Sequence, residues 1–135
     1  MGDGMIGLFA AHAGPFALGF AGVSTLAFAL PFIFAPEGWG RAMRWAVPGE
    51  TDLLRYYARC LGLLALAGNG LAVWAALFRP ALLPAYFVLV TPFCASMVPL
   101  HVWGWLRREQ PWTETAEIPM WTAAFVGCLA FFPAG

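Results

Sequence analysis

Residues 81–106, ALLPAYFVLVTPFCASMVPLHVWGWL, contain no acidic residue, no lysine and no arginine, and this stretch decides the fold. A helix that crosses a hydrocarbon core of roughly 30 Å needs about 20 mainly apolar residues, so the segment is long enough for one crossing. Lipid cannot satisfy free backbone N–H and C=O groups, and the run lacks the apolar–polar alternation of a barrel strand. It therefore predicts a membrane-spanning helix.

Three further apolar segments accompany this one along the chain. They cover residues 14–34 (GPFALGFAGVSTLAFALPFIF), residues 53–78 and residues 118–134, of which the last is the shortest. The first is too long for the core of a cleaved signal peptide, and Asp3 stands where a basic region would be expected, so we interpret it as a mature helix. The sequence predicts an all-α protein, a single domain over residues 1–135 that forms an integral membrane bundle of four transmembrane helices.

The composition of the whole chain agrees with contact with a lipid bilayer. Of its 135 residues, 61% are hydrophobic and only 10% are charged, with a mean hydropathy of +0.74. Soluble domains carry about 25% charged residues. All seven basic residues are arginines that lie beside apolar runs, so we expect no nucleic-acid partner. The three cysteines lie inside apolar segments without a CxxC pair, which indicates neither a redox motif nor a zinc knuckle.

The arginines are distributed unevenly between the two ends of the predicted bundle. Four crossings place both termini and the second loop on one side, and the first and third loops on the other. The side of loops one and three, with its helix margins, has Arg41, Arg44, Arg55, Arg59, Arg107 and Arg108, whereas the opposite side has Arg79. Because basic residues favour the cytoplasmic side, we expect loops one and three in the cytoplasm and both termini on the non-cytoplasmic side of a bacterial inner membrane.

Polar residues near the cytoplasmic end form a candidate site. In RYYARCLGLLALAGNG, residues 55–70, helical spacing places two arginines and an asparagine along one stripe. We predict that these residues form a polar cluster that holds the headgroup of a lipophilic ligand, with Glu114 at similar depth. The residues of the predicted cluster are Asp52, Arg55, Arg59, Asn69, His101 and Glu117. The alternative is that the arginines are membrane-edge anchors. In either case Arg59 has Glu117 or Asp52 as a candidate partner.

The two histidines, His12 and His101, are candidate ligands of a pigment or haem. His12 is expected at the outer end of the first helix and His101 near the inner end of the third, so they do not share one haem. Each remains a candidate for the single axial ligand of a chlorophyll-type pigment or a five-coordinate haem. The spacing along the chain indicates no carboxylate–histidine metal cluster, and GxSxG, HExxH and glycine-rich phosphate loops are missing from the sequence. We therefore predict no metal site and assign no catalytic residue.

Three features resemble a group of small bacterial four-helix membrane proteins known as DoxX-like. They are an arginine that opens the second helix, the following RCLGLLALAGNG with its spaced small residues, and HVWGWLRRE at the end of the third helix. The likeness covers roughly residues 50–133. The resemblance implies the same bundle and a link to membrane quinone oxidoreductases in some relatives. The chain is similar, more faintly, to four-helix sterol-isomerase-type proteins, whose pocket has acidic residues between the helices. In this chain only Glu117 matches one of those acidic residues.

The leading functional prediction is an accessory or assembly subunit of a larger membrane complex, rather than an enzyme. Its apolar faces would bind lipid or a lipophilic cofactor, with a lipid, a quinone and a pigment as the candidates, and its partners would be the bilayer and other membrane-protein subunits. The alternative is an enzyme or carrier for a quinone or sterol-like molecule that uses the polar cluster. A transporter is disfavoured because Asn69 is the clearest polar residue near the bilayer midplane and the chain has no inverted repeat.

Overall fold

The computed structural model describes residues 5–133, and the regular secondary structure in that range is helical. Three helices are long and apolar enough to cross a membrane: α1 (Ala10–Phe34), α3 (Asp52–Phe78) and α4 (Pro80–Arg107). Three shorter helices follow or connect them: α2 (Pro36–Ala42), α5 (Trp112–Thr115) and α6 (Ile118–Ala130). The prediction of three apolar crossings at residues 14–34, 53–78 and 81–106 is therefore confirmed as far as helix length and composition decide it.

The fourth predicted span is only partly helical. Helix α6 has 13 residues, and its proline lies in the first turn, where a missing N–H costs nothing. At 1.5 Å per residue such a helix rises about 20 Å, less than the roughly 30 Å of a hydrocarbon core. Residue 134, the last of the predicted span, lies outside the described residues.

Small side chains let α1 and α3 approach each other closely. Ala13, Ala17 and Ala21 recur every four residues on α1 and are fully buried. On the facing side of α3, a methyl group added to Gly62 would lie 2.8 Å from the backbone oxygen of Ala29, so only glycine fits there. Because lipid tails are as apolar as the helix surfaces, this close packing, rather than the exclusion of water, holds the two helices together.

Aromatic side chains join α6 to the rest of the bundle. The rings of Phe16 and Phe131 stack with centroids 4.6 Å apart, and Trp121 packs edge-on against Phe93 at 5.6 Å. The fully buried Phe87 lies among these groups. Phe16 near the start of α1 and Phe87 near the start of α4 contact each other and also meet Phe131 and Phe132, just beyond the end of α6. Helix α6 therefore runs antiparallel to both α1 and α4.

A proline shapes the second half of α1. Pro31 has no N–H to donate to the carbonyl of Ala27, and the preceding Thr25–Ala29 segment widens into a π-helical turn. The indole N–H of Trp39 donates to the Ala27 oxygen at 2.9 Å instead. This bond ties α2 back against the end of α1.

The N-terminal segment completes the end of α6. The N–H of Gly7 donates to the Leu129 carbonyl at 2.9 Å, and the N–H of Phe9 donates to the Ala130 carbonyl at 2.7 Å. These carbonyls belong to the last turn of α6 and have no partner within the helix. The two ends of the described chain therefore lie together, at the opposite end of the bundle from α2 and α5.

Candidate functional site

The polar residues predicted to form one cluster occupy three separate places in the structure. Arg55, Arg59 and Asp52 lie at the surface of α3, Asn69 lies between α1 and α3, and His101 meets Glu117 between α4 and α6. The stripe on α3 exists: Arg59 and Asn69 both bond to α1, and Arg55 bonds to Glu37 of α2. His101 and Glu117 lie on other helices, away from this stripe.

The arginine end of the stripe forms surface ion pairs. The Nε of Arg55 donates to Glu37, at the start of α2, and its Nη1 lies 3.7 Å from Asp52. The hydrogen bond from Arg55 lowers the pKa of the Glu37 carboxyl below its usual value, with smaller contributions from Thr51 and Arg41. Glu37 is therefore a partner that the sequence analysis missed, since it lies 18 residues away on the far side of a loop.

Arg59 pairs with neither of the carboxylates expected for it. Its Nε donates to the backbone oxygen of Ile33 at 3.3 Å. That carbonyl lies in the last turn of α1, where helix geometry leaves the C=O groups without partners. Gly62, one turn along α3, allows the end of α1 to come close enough for this contact. The expected pairing of Arg59 with Glu117 or Asp52 is therefore wrong, and Arg59 stabilises a helix end instead.

Asn69 forms an interhelical contact in the middle of the bundle. Its side chain is 7% exposed, and its Nδ2 donates to Thr25 Oγ1 at 2.9 Å and to Ser24 Oγ at 3.2 Å. Both hydroxyls lie at the start of the π-helical turn of α1. The prediction that this amide needs a partner on another helix is confirmed.

The most concentrated polar group is the His101–Glu114–Glu117 centre. His101 Nε2 lies 3.3 Å from Glu114 Oε2 and 3.6 Å from Glu117 Oε2, and the three side chains are 4%, 12% and 13% exposed. Their nitrogen and oxygen atoms lie within 4.8 Å of one another, a spacing that one metal ion can bridge. The expectation of no carboxylate–histidine cluster with metal-ligand geometry is corrected here. The glutamates lie three residues apart in sequence, but the histidine approaches from another helix.

Each member of the centre is held by a further hydrogen bond. His101 Nδ1 donates to the Met97 carbonyl at 2.7 Å, one turn earlier on α4. The indole of Trp45 donates to Glu114 Oε1 at 2.8 Å, and the indole of Trp121 donates to Glu117 Oε2 at 3.0 Å. The sequence analysis assigned no role to either indole, because the order of residues along the chain does not show which carboxylate each tryptophan meets.

The loop between α4 and α5 closes the centre from the cytoplasm-facing end of the predicted topology. Gln110 Nε2 donates to the His101 carbonyl and to Thr115 Oγ1, both at 3.0 Å. Arg108 adopts a left-handed conformation with φ of 56°, which ends α4 and reverses the chain. This reversal places α5 and its Glu114 directly over His101.

The electrostatics of Glu117 follow from its position just before α6. Burial raises the pKa of its carboxyl above the usual value, and the negative charge of Glu114 acts in the same direction. The Trp121 hydrogen bond and the proximity of His101 oppose this increase. Burial and mutual repulsion therefore disfavour two negative charges at this position, and no arginine of the described chain forms a salt bridge with either glutamate.

The histidines lie at opposite ends of the bundle, as predicted. His12 is exposed in the first turn of α1, near the start of the described chain. His101 Nε2 has two carboxylates within 3.6 Å, which leave no space for a tetrapyrrole over that nitrogen. Of the two proposed pigment ligands, only His12 has an accessible ring.

Two apolar cavities lie next to these polar groups. One, of about 460 Å³, is bounded by α2, α3 and the intervening loop, and Glu114 forms part of its wall. The second, of about 410 Å³, is a groove between α1, α3 and α4, with Ser24 and Asn69 among its lining residues. Volumes in this range accommodate a small lipophilic molecule.

Comparisons with protein-family models, with curated proteins and with solved structures found no match to this chain. The resemblance to DoxX-like proteins therefore stays a prediction.

Proposed function

We propose that this protein crosses a bacterial inner membrane four times, with α6 as the core of the fourth crossing. Helix α6 packs antiparallel to α4 and buries Trp121 and Cys128, so it belongs to the same bundle as the three longer helices. The apolar residues 131–133 continue the crossing beyond the end of the helix. A bilayer adjusts to a short span by thinning locally at a modest cost in free energy.

In the same proposal both termini face the non-cytoplasmic side, and loops one and three lie in the cytoplasm. The end of the bundle that carries α2 and α5 also carries most arginines, whereas a single arginine lies between α3 and α4. Arginines retained on one side set membrane orientation. The arginines at the end of the bundle with α2 and α5 are Arg41, Arg44, Arg55, Arg59, Arg107 and Arg108.

Reporter fusions test this topology. Alkaline phosphatase fused after residue 135 should be active, because it folds only outside the cytoplasm, and green fluorescent protein at the same position should be dark. The matched control places the reporters after Glu50, in loop one, where the pattern should be reversed. Fluorescence of both the C-terminal and the loop-one fusions would mean that α6 does not cross and would refute the four-span topology.

We infer that the protein acts as an accessory or assembly subunit that binds a lipophilic group through its outer faces. The observation that carries this proposal is the groove between α1, α3 and α4. Its wall is apolar, with Phe20, Leu64 and Phe93, and Asn69 supplies an amide at mid-depth. The neighbouring hydroxyl of Tyr86 is buried without a hydrogen-bond partner in the described chain. A tail, ring or apolar helix face of a partner would fill such a groove.

Copurification with a groove-filling variant tests the subunit proposal. Gly68 lines the groove, whereas an added methyl group at Gly70, on the same helix, would meet no atom within 4 Å. Tagged wild type and Gly70→Leu, extracted in mild detergent, should both recover other membrane subunits, and Gly68→Leu should lose them. Wild type that is recovered alone, as a monomer or homodimer, would contradict the proposal.

A second candidate is an enzyme or carrier for a quinone or sterol-like molecule. The cavity beside Glu114 favours it, since an apolar volume of about 460 Å³ adjoins the buried His101–Glu114–Glu117 centre. Trp39, Leu54 and Tyr57 would contact the ring or tail of the ligand. The polar cluster in this version consists of the histidine and two glutamates, without the arginines.

Solvent extraction of the purified protein tests this second candidate. Ala58 lines the cavity beside Glu114, so Ala58→Phe should displace a bound molecule, whereas the control Ala116→Phe alters an exposed position elsewhere on the same end. Mass spectrometry should detect a lipophilic molecule in wild type and in the control and not in Ala58→Phe. Equal amounts in all three proteins would exclude this cavity as the binding site.

A further inference from the structure

The hydrogen bonds of His101 determine which of its nitrogens is free. Nδ1 lies 2.7 Å from the Met97 carbonyl oxygen, which only accepts, so Nδ1 carries the proton. In a neutral imidazole the other nitrogen, Nε2, then presents a lone pair. It points into the space between Glu114 and Glu117, whose ionised oxygens are also acceptors only. Three electron-rich atoms converge there without a donor among them.

We propose that His101, Glu114 and Glu117 bind one divalent transition-metal ion, with zinc as the representative. Zinc forms bonds of about 2.0–2.1 Å to imidazole nitrogen and carboxylate oxygen, and a tetrahedral arrangement places such ligand atoms roughly 3.3 Å apart. The Nε2–Oε2 distances of 3.3 and 3.6 Å match that spacing. His101 is 4% exposed, so most of its surface packs against protein rather than water.

The groups behind the three ligands have the arrangement expected around a metal. A metal-bound histidine usually donates its second N–H to a carbonyl or carboxylate, and ligating carboxylates are themselves hydrogen-bonded. Here the Met97 carbonyl serves the histidine, while the indoles of Trp45 and Trp121 serve the two glutamates. All three ligands are therefore oriented before an ion binds.

A divalent cation would balance the charge of the centre. Two ionised carboxylates and a neutral imidazole have a charge of −2, and buried charges are costly unless they are compensated. One divalent ion makes this set of ligands neutral, whereas protons neutralise it only by adding to two of the three groups. Three protein ligands leave a fourth position for water or another ligand. Glu114 also forms part of the wall of the apolar cavity, so the centre as a whole adjoins a space for a lipophilic molecule.

Metal titration of the purified full-length protein tests the site without requiring a known activity or partner. Detergent-solubilised protein, stripped with a chelator, should bind one equivalent of Zn(II), measured by elemental analysis after desalting. Glu114→Gln and Glu117→Gln should each weaken binding by more than the roughly 10–100-fold that loss of an outer-shell group costs. Trp45→Phe should fall within that smaller range.

Matched controls use the same residue types outside the centre. Glu109 is exposed at the same end of the bundle and pairs with Arg107, and His12 is exposed at the opposite end. Glu109→Gln and His12→Ala should bind Zn(II) as wild type does. Circular dichroism identifies any variant that has lost its helices. For such a variant, the Co(II) spectrum of the wild-type protein provides the test instead.

Co(II) bound to the wild-type protein provides a measurement that needs no substitution. Nitrogen and oxygen ligands in a four-coordinate site give visible d–d bands without thiolate charge-transfer absorption. A thiolate band would assign the metal to a cysteine, such as the exposed Cys60, and would overturn the proposal. So would wild type that binds neither ion, or binding that Glu114→Gln and Glu117→Gln leave unchanged.

Discussion

Removing the amide of Asn69 should weaken the contact between α1 and α3 by a predictable amount. Asn69 donates to Thr25 at 2.9 Å and to Ser24 at 3.2 Å. Hydrogen bonds between membrane helices contribute about 0.6 kcal/mol each on average, with a maximum of about 1.7. Two such bonds imply about 1.2 kcal/mol, which corresponds to a change of roughly eightfold in the unfolding equilibrium.

The single variant Asn69→Ala does not report that value directly. Alanine has a better helix propensity than asparagine, by roughly half a kcal/mol, and this gain offsets part of the lost bonds. A double-mutant cycle removes the offset because the propensity change occurs in both backgrounds. We therefore combine Asn69→Ala with Thr25→Val, which conserves volume, and separately with Ser24→Ala.

The assay is reversible unfolding in mixed micelles, followed by tryptophan fluorescence and circular dichroism. We expect a coupling free energy of about 0.6 kcal/mol or more between Asn69 and Thr25, and a smaller one with Ser24, whose bond is longer. Ser96 is the control, since its hydroxyl is exposed and bonds only to the Phe93 carbonyl of its own helix. Coupling indistinguishable from zero at Thr25 would refute the interhelical bond.

Three further predictions concern the packing and ion pairs of the bundle. Gly62→Ala should destabilise the protein by about 1–3 kcal/mol, because its methyl group would overlap the α1 backbone, whereas Gly70→Ala should be neutral or stabilising, both measured by thermal unfolding. Trp39→Phe should cost about 1 kcal/mol in the same assay because it leaves a carbonyl beside a proline without its donor, and Trp105→Phe, which removes an exposed ring, should cost less. Glu37→Gln should lower the free energy of unfolding at pH 7 and have no effect in acid. The pKa of Glu37 is lower in the folded protein than in the unfolded chain, so its ion pair stabilises the fold above the unfolded pKa of about 4.3. This stabilisation is lost as the pH falls toward the pKa of the folded protein.

Each of these predictions has a contradicting outcome. Equal stability of the two glycine variants would mean that the helices do not approach closely at residue 62. A larger loss from the Trp105 variant than from the Trp39 variant would exclude the bond to α1. A stability difference between wild type and the Glu37 variant that persists unchanged at pH 3 would show that the ion pair is not its source.

The helices and their membrane character could be read from the sequence alone. The uncharged residues 81–106 lie within α4 (Pro80–Arg107), and residues 53–78 differ from α3 by one residue at the start. Long apolar runs have no alternative in lipid but to satisfy their backbone internally, so length and hydropathy are sufficient. The predicted fourth span, residues 118–134, was longer than helix α6, because residues 131–133 are apolar but not helical.

The partners of the polar residues were decided by the tertiary structure. The α3 stripe correctly placed Arg59 and Asn69 on one face. The atoms of α1 that each side chain reaches depend on how closely α1 approaches, and Gly62 allows that close approach. His101 meets two glutamates because α4 ends in a left-handed turn and the loop folds back over it. Most faces of each helix are similarly apolar, so hydropathy cannot show which face of a helix meets its neighbour. These pairings are therefore decided only when the helices pack.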